Sequence, residues 1–409
     1  MRSSVAAVGS LILGISLIQL ANGYIGTLIG IRLADAHVDA LVIGIVTAAY
    51  FVGYAAGAAV CNRLIGRAGH IRAFAAFGAV TAAVILGHPL YFDPVLWSGL
   101  RAITGFGAAG LFVTTESWLN AKATPSTRSQ VFAIYMVATY ATFAGSQFML
   151  NLAAPASFTL FALAAILFCL ALAVVATTRA EQPALIAPVR LKAGELTAAA
   201  PVAVAGCFVA GLITGAFYGL VPVYAASNGR TVPEIAVYMA LAITGGLLMQ
   251  IPVGRLSDRF DRRIVAGAVA LAFAGLALAL VPAHTTRWFP LVWLLLGGFM
   301  SVIYPVAVAH ANDRLPAARA VSVSGRLILI SGTGSALGPL LGASAMETLG
   351  IGGLFQCMAV VAGLFAIFAL TRAIGVRAPD AKRQRPFLLL PAIFSHDLAA
   401  AAKEPTGRA

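Results

Sequence analysis

The sequence predicts an all-α membrane protein with twelve transmembrane helices in two pseudo-symmetric six-helix bundles. Three observations predict this fold: an apolar composition, a series of long apolar runs, and a repeat that relates the two halves of the chain. Of the 409 residues, 60% are hydrophobic and only 10% are charged, and the mean hydropathy is +0.93. Because soluble domains carry about 25% charged residues, this composition excludes both a water-soluble globule and a disordered chain.

Apolar runs separated by short polar breaks give the predicted spans. About 20 apolar residues are needed to cross a bilayer as a helix, and the chain contains enough of them for about twelve such helices. The spans are placed at 6–31, 41–62, 72–91, 95–118, 128–152, 156–178, 199–225, 234–254, 264–283, 288–310, 319–345 and 350–374.

The longest polar break lies near the middle of the chain, at 179–198, and contains two prolines. It predicts an N-terminal six-helix bundle at 1–178 and a C-terminal six-helix bundle at 199–374, joined by a cytoplasmic linker at 179–198. Residues 375–409 are predicted to form a cytoplasmic tail.

The distribution of basic residues explains the formal net charge of +13. The odd-numbered breaks contain few Lys or Arg residues, namely Arg32, Arg230 and Arg287, whereas the even-numbered breaks and the termini hold most of the others. The positive-inside rule therefore places the even breaks and both termini in the cytoplasm. Termini on the same side of the membrane require an even number of spans, and twelve meets this requirement. Membrane topology thus accounts for the positive net charge, which therefore does not indicate binding to nucleic acid. The distribution therefore predicts a multi-pass membrane protein.

An internal repeat supports the division into two halves. Matching residues recur at a constant offset of 192 positions. The matches are Gly23 with Gly215, Arg63 with Arg255, Leu64 with Leu256, Arg67 with Arg259, Gly105 with Gly297, and Asn120 with Asn312. Parallel six-helix repeats are an architecture of transporters, in which the substrate site lies near the membrane midplane between the halves.

Four sequence motifs resemble those of the major facilitator superfamily. Residues 254–263 read GRLSDRFDRR and resemble the signature loop of that family. Residues 62–72, NRLIGRAGHIR, resemble a degraded copy in which Gly66 replaces the acid and His70 and Ile71 replace the basic pair. The fourth span carries RAITGFG at 101–107, like the family's fourth-helix motif, and the eleventh carries GSALGPLLG at 334–342, like the Gly-Pro motif of its antiporters. The run ESWLN at 116–120 further resembles YcaD-type bacterial members, and this resemblance implies a location in the bacterial inner membrane.

The resemblance implies two bundles that rock around a central site, with the signature loop as a structural lock that holds one gate closed. Asp258 and Arg259 are the expected lock residues, and Asp258 is expected to approach the start of the fifth span near 126–129. The other arginines of the loop, Arg255, Arg262 and Arg263, are assigned to membrane topology alone.

Charged residues inside the spans are the remaining candidates. A charged side chain within a membrane faces a cavity or a partner because its exposure to lipid is costly. Arg101 and Arg326 are therefore candidates for binding the substrate or for a place in a proton pathway. The alternative is that each side chain snorkels to the membrane surface. Glu116 is either a proton carrier or, as we prefer, one member of a gate ion pair. The complete set of gate and lock candidates is Arg63, Arg67, Glu116, Arg128, Asp258 and Arg259.

Polar side chains in the middles of helices predict the lining of a central cavity. Each of them can alternatively form an interhelical hydrogen bond. The substrate-binding candidates are Gln19, Asn22, Tyr50, Tyr54, Arg101, Thr214, Tyr218, Tyr304 and Arg326.

The predicted function is a proton-linked or facilitative carrier of a small organic solute, neutral polar or anionic, acting as a monomer in the bilayer. The sequence contains no enzyme motif, no metal-ligand spacing and no cofactor motif. One alternative is a drug or metabolite efflux antiporter, which the lack of an acidic residue in the first span disfavours. Another is a non-transporting sensor or scaffold, which would be expected to carry an additional soluble domain.

Overall fold

The computed structural model is helical throughout the residues that it describes, which are 2–123, 127–177, 194–281, 288–316 and 319–375. The α-helices are α1 (Arg2–Asp35), α2 (Ala40–Ala68), α3 (His70–Gly87), α4 (Pro94–Lys122), α5 (Arg128–Ser146), α6 (Phe158–Ala176), α7 (Glu195–Ala199), α8 (Pro201–Ser227), α9 (Val232–Arg259), α10 (Arg262–Leu280), α11 (Phe289–Arg314), α12 (Ala320–Leu349) and α13 (Gly353–Gly375). Short 3₁₀ turns extend α3 at His88–Leu90 and α5 at Gln147–Leu152.

Within the described residues, twelve helices are long and apolar enough to cross a membrane. They are α1–α6 and α8–α13, and they confirm the twelve predicted spans. The short helix α7 was not predicted and lies at the end of the expected linker. Residues 178–193 of that linker and 376–409 of the expected tail lie outside the described residues, so the proposed domain boundaries stay predictions.

Capping residues in the sequence explain where some helices begin. Asp93 accepts a hydrogen bond from the backbone N–H of Leu96 at 2.7 Å, and the following Pro94 has no N–H group to satisfy. At the start of α9, Thr231 and Glu234 form a capping box, in which each side chain takes a backbone N–H group of the other residue. Both arrangements satisfy the free N–H groups of a first helical turn.

Glycines let pairs of helices touch through their backbones, and they do so in the same way in both halves. A Cβ atom at Gly53 would lie 1.9 Å from the carbonyl oxygen of Ala102, which holds α2 against α4. At the positions 192 residues later, a Cβ atom at Gly245 would lie 1.8 Å from the carbonyl oxygen of Leu294, where α9 crosses α11. The repeat therefore relates contacts as well as residues, as expected of small residues at membrane helix crossings.

The two halves meet along α2 with α12, α1 with α8, and α5 with α9. At the end of the bundle where α2 begins, the backbone N–H of Leu41 donates a hydrogen bond of 3.1 Å to Oε1 of Glu347 on α12. A Cβ atom at Gly44 would lie 2.9 Å from the carbonyl oxygen of Pro339. This end is therefore closed by direct packing of one half on the other.

Candidate functional site

A cavity of about 60 Å³ lies between the two halves of the bundle. Its lining comes from one face of α1, from α2, α4 and α5 of the first half, and from α8 of the second. The lining residues are Gln19, Asn22, Gly23, Gly26, Thr27, Thr47, Tyr50, Phe51, Arg101, Phe143 and Tyr218. The α1 members are spaced by three, one, three and one residues, which places them on one side of a helix.

Arg101 is the charged group of this cavity. Its side chain is buried, and its guanidinium carbon lies 4.3 Å from the centre of the Tyr50 ring. The close crossing of α2 and α4 brings the two residues together, since a Cβ atom at Gly105 would lie 1.9 Å from the carbonyl oxygen of Tyr50. The Nε atom of Arg101 is buried without a hydrogen-bond partner. The side chain is thus directed into the cavity and stacked on an aromatic face, and it does not snorkel to the surface.

Two amide side chains on α1 that line the cavity also have buried hydrogen-bonding atoms without a partner among the described residues. Asn22 donates a hydrogen bond of 3.1 Å from Nδ2 to the Tyr50 hydroxyl, while its Oδ1 atom has no partner. Gln19 is 1% exposed, and neither its oxygen nor its nitrogen has a partner. Buried polar groups are ordinarily hydrogen-bonded, so these atoms favour a polar ligand.

Two residues that the sequence analysis did not find, Thr27 and Gln147, hold the lining face of α1 in place. Thr27 lines the cavity, whereas Gln147, just after α5, lies behind the lining. Gln147 accepts a hydrogen bond from Thr27 and donates one to the carbonyl oxygen of Gly23, both at 2.9 Å. The helical spacing from Gln19 to Thr27 could have identified the threonine, but no local pattern predicts its contact with a residue 120 positions away.

Four other substrate-binding candidates lie away from the main cavity. Tyr54 and Tyr304 line a separate cavity of about 20 Å³ between α2, α11 and α12, whose wall Phe51 shares with the main cavity. Thr214 is buried in α8 and lines neither cavity. Arg326 is half-buried on α12 and likewise lines neither of them. The structure therefore groups Gln19, Asn22, Tyr50, Arg101 and Tyr218, and separates the remaining four from them.

Glu116 lies much deeper in the protein than its predicted role requires. Its side chain is fully buried and accepts a hydrogen bond of 3.0 Å from the Tyr135 hydroxyl. Arg63 and Arg67 are both exposed at the end of α2, and among the described side chains no ion pair joins either of them to Glu116. The expected gate pair with either of these two arginines is not formed in this structure and stays a prediction. The third expected partner, Arg128, has a side chain outside the described residues.

The signature loop is held by Arg262, to which the sequence analysis assigned only a topological role. Its Nε atom donates to Asp313 at 2.6 Å, its Nη1 to Ser257 at 3.0 Å, and its Nη2 to Asp258 at 3.2 Å. The Arg262 side chain is 1% exposed. This guanidinium joins α9, α10 and α11, whereas Arg259, the predicted lock residue, is exposed.

Arg263 ties the same loop to the last helix. It forms an ion pair with Asp261 at 2.6 Å and donates a hydrogen bond of 2.7 Å to the carbonyl oxygen of Arg372, near the end of α13. Partial burial by itself raises the pKa of Asp261, but side-chain and backbone hydrogen bonds from Arg263 outweigh that effect, so the pKa of Asp261 is lowered. The carboxylate therefore stays charged and paired.

The degraded loop of the first half uses a neutral contact at the equivalent place. His70 stands 192 positions before Arg262, is buried, and lies with its Nε2 atom 3.1 Å from the Ser117 hydroxyl. The two loops are thus unequal, as the sequence predicted. The expected approach of Asp258 to 126–129 stays a prediction, because most of the side chains in that segment lie outside the described residues.

The fold and the repeated contacts are those of a known transporter family. The model of the Major Facilitator Superfamily matches residues 11–231 and 203–405. The chain belongs to the major facilitator superfamily. It is 28% identical over 374 residues to the "Uncharacterized MFS-type transporter YcaD" of Shigella flexneri serotype 5b (strain 8401), which covers 89% of this chain and 95% of the relative. The protein of the same name from Salmonella enteritidis PT4 (strain P125109) is 29% identical over 373 residues, with the same shares covered.

Solved structures of the family show the same fold. The nucleoside transporter NupG superposes with a TM-score of 0.70 at 14% identity, over 92% of this chain and 100% of that one. A bacterial homologue of the human lysosomal transporter Spinster, inward-facing and unoccupied, superposes with a TM-score of 0.72 at 15% identity, over 94% and 98% of the two chains. This major facilitator protein is therefore a multi-pass membrane protein with a transporter fold, and not an enzyme.

Proposed function

We propose that the protein moves a small organic solute, anionic or neutral and polar, across the membrane by alternating exposure of the central cavity to the two sides. Arg101 carries the proposal. It is buried, it lines a cavity between the halves, and no acidic residue is among the residues that line this cavity. A solute bound there would contact both bundles, because Arg101 belongs to the first and Tyr218 to the second.

The charge of the cavity favours anionic over cationic solutes. A guanidinium in a desolvated site binds a carboxylate or a similar anion through charge-assisted hydrogen bonds. A cation in the same cavity would be repelled at short range in a medium of low dielectric constant. The unpaired amide atoms of Gln19 and Asn22 support recognition of neutral polar groups as well.

Glu116 supports a proton-linked mechanism. It is a fully buried carboxyl on the same helix as Arg101, 15 residues away, which corresponds to about 22 Å along an α-helix. Its hydrogen bond from Tyr135 on α5 joins two helices of the first half. Protonation would neutralise the Glu116 carboxylate without a change in the backbone. This carboxyl can therefore bind and release a proton as the cavity opens alternately to the two sides of the membrane.

The proposed setting is the bacterial inner membrane, with the protein as a monomer and both termini and the linker in the cytoplasm. The Lys and Arg excess in the even-numbered breaks supports this orientation. Arg63 and Arg67 at the end of α2, and Arg255 and Arg259 near the end of α9, lie on the side assigned to the cytoplasm.

Reconstituted transport tests the central claim. Proteoliposomes that contain the protein should accumulate or exchange small radiolabelled anions or neutral polar solutes, and Arg101→Lys should reduce that flux strongly because a single ammonium does not reproduce the paired N–H groups of a guanidinium. Arg255→Lys, an exposed arginine with the same change, is the matched control. Robust transport of a quaternary ammonium compound that Arg101→Ala leaves unaffected would overturn the proposal.

Proton linkage has a separate test. Glu116→Gln keeps the shape of the side chain and abolishes its titration, so we expect solute exchange to continue while uptake driven by an imposed pH gradient is lost. Asp39 is an exposed acid outside the cavity, so Asp39→Asn controls for the loss of an acidic side chain. Gradient-driven uptake that survives Glu116→Gln excludes Glu116 as the proton carrier.

A further inference from the structure

The unpartnered polar groups around the central cavity indicate the chemistry of its ligand. Building on the proposed transport function, we infer that the cavity binds a hydroxycarboxylate, with the carboxylate on Arg101 and the hydroxyl on Gln19.

We infer the carboxylate because, within the part of the chain that the structure describes, no acidic side chain pairs with Arg101. A buried arginine is normally paired, because an isolated charge in the interior is costly. The Tyr50 ring compensates part of that charge through its face, but its hydroxyl is taken by Asn22. The Nε atom of the guanidinium remains without a partner. A carboxylate that approaches this edge would supply both the negative charge and the acceptor oxygens.

The amide of Gln19 is the reason for inferring a hydroxyl group in the ligand. Both atoms of this amide are unpartnered, so the site offers a donor and an acceptor at one place. A hydroxyl group can accept from one and donate to the other. An ammonium group has only donors, and in an amino acid it would cancel the net charge that Arg101 requires. The site should therefore separate a hydroxy acid from the amino acid of the same shape.

Aromatic side chains line the cavity beside these polar groups. Phe143 on α5 and Tyr218 on α8 lie with their ring centres 5.5 Å apart, across the boundary between the halves. Phe51 lines both this cavity and the smaller one that Tyr54 lines.

Binding to the full-length protein in detergent tests the inference directly. Calorimetric titrations should give saturable binding of lactate and glycolate, weaker binding of propionate, which lacks the hydroxyl, and no binding of alanine or glycerol. Arg101→Lys should weaken lactate binding by about tenfold or more, because the paired hydrogen bonds are lost. Arg255→Lys is the exposed control.

Gln19→Met separates the role of the hydroxyl from general damage to the cavity. This variant keeps the length of the side chain and removes both hydrogen-bonding atoms. It should lower the affinity for lactate to that for propionate, and leave the affinity for propionate unchanged, which reports a folded cavity. Gln356→Met on α13 is the matched control. Equal affinity of the unmodified protein for lactate and alanine, or an undiminished preference for lactate over propionate in Gln19→Met, would overturn the inference.

Flux measurements distinguish failure of this inference from failure of the proposed function. Binding of lactate without flux in proteoliposomes would leave the ligand class standing and reject transport. Arg101-dependent flux of another small anion, without lactate or glycolate binding, would support transport and reject the hydroxycarboxylate.

Discussion

Trp293 occupies the position in the second half that Arg101 occupies in the first, 192 residues earlier. Each side chain stacks on a tyrosine: Arg101 on Tyr50 at 4.3 Å, and Trp293 on Tyr238 with ring centres 5.2 Å apart and an interplanar angle of 2°. The two halves thus place these residues at equivalent positions, but one side chain is charged and the other is not. Only the first half therefore contributes a charge at this position, so under the proposed function an anionic group would bind to the first bundle.

The contact between Arg101 and Tyr50 predicts a difference between two substitutions. Tyr50→Phe keeps the aromatic face, whereas Tyr50→Leu removes it and leaves the guanidinium without compensation. We expect Tyr50→Leu to lower the free energy of unfolding by about 1–2 kcal/mol more than Tyr50→Phe, since cation–π contacts have this strength when desolvated. Thermal or chemical unfolding in detergent measures the difference. Equal destabilisation by the two variants would show that the aromatic face does not stabilise the charge.

The backbone contacts of Gly53 and Gly245 predict that neither position tolerates a methyl group. Alanine at either position places its Cβ atom within 2 Å of a carbonyl oxygen, so α2 must move away from α4, or α9 from α11. We expect losses of about 1–3 kcal/mol, as in other overpacked sites. A Cβ atom at Gly275 on α10 would meet no other atom within 4 Å. Gly275→Ala should therefore be neutral or stabilising by up to about 1 kcal/mol, and equal effects at all three glycines would contradict the prediction.

The buried ion pair of Arg262 and Asp313 predicts strong destabilisation when one partner is removed. Arg262→Ala leaves the Asp313 carboxylate, which is 4% exposed, without its closest cation. Removal of one partner of a buried pair typically costs about 3–5 kcal/mol. Arg259→Ala, in the same loop but exposed, should cost far less. A double variant with Asp313→Asn should recover part of the loss, and complete additivity of the two changes would argue against a direct interaction.

The orientation in the membrane can be tested by cysteine labelling. In a variant that lacks the four native cysteines, Arg190→Cys should not react with an impermeant thiol reagent in intact cells, because the linker is expected in the cytoplasm. Asn228→Cys, in the exposed turn between α8 and α9, should react. Disruption of the cells should make position 190 reactive and thereby show that the cysteine is present. Labelling of position 190 in intact cells would reverse the orientation.

Hydropathy was sufficient to predict the twelve helices from the sequence. A segment that crosses the bilayer must be a long apolar helix, so the twelve spans are a property of local composition. The offset of 192 likewise exposed the repeat. Polar character in the middle of a span identified Gln19, Asn22, Tyr50, Arg101 and Tyr218, all of which line the main cavity.

Only the tertiary structure decided which partner each of these polar groups has. Thr214 is as polar as Gln19 and as central in its helix, but a composition rule does not report which face of a helix meets the cavity. In the sequence, Arg262 is one of several arginines in a break assigned to the cytoplasm. In the structure, the packed ends of α9, α10 and α11 bring Asp258 and Asp313 into contact with it. Electrostatic and hydrogen-bond energies depend on distances of a few ångströms between residues far apart in sequence, so burial and pairing are decided by the packing of helices and not by the order of residues along them.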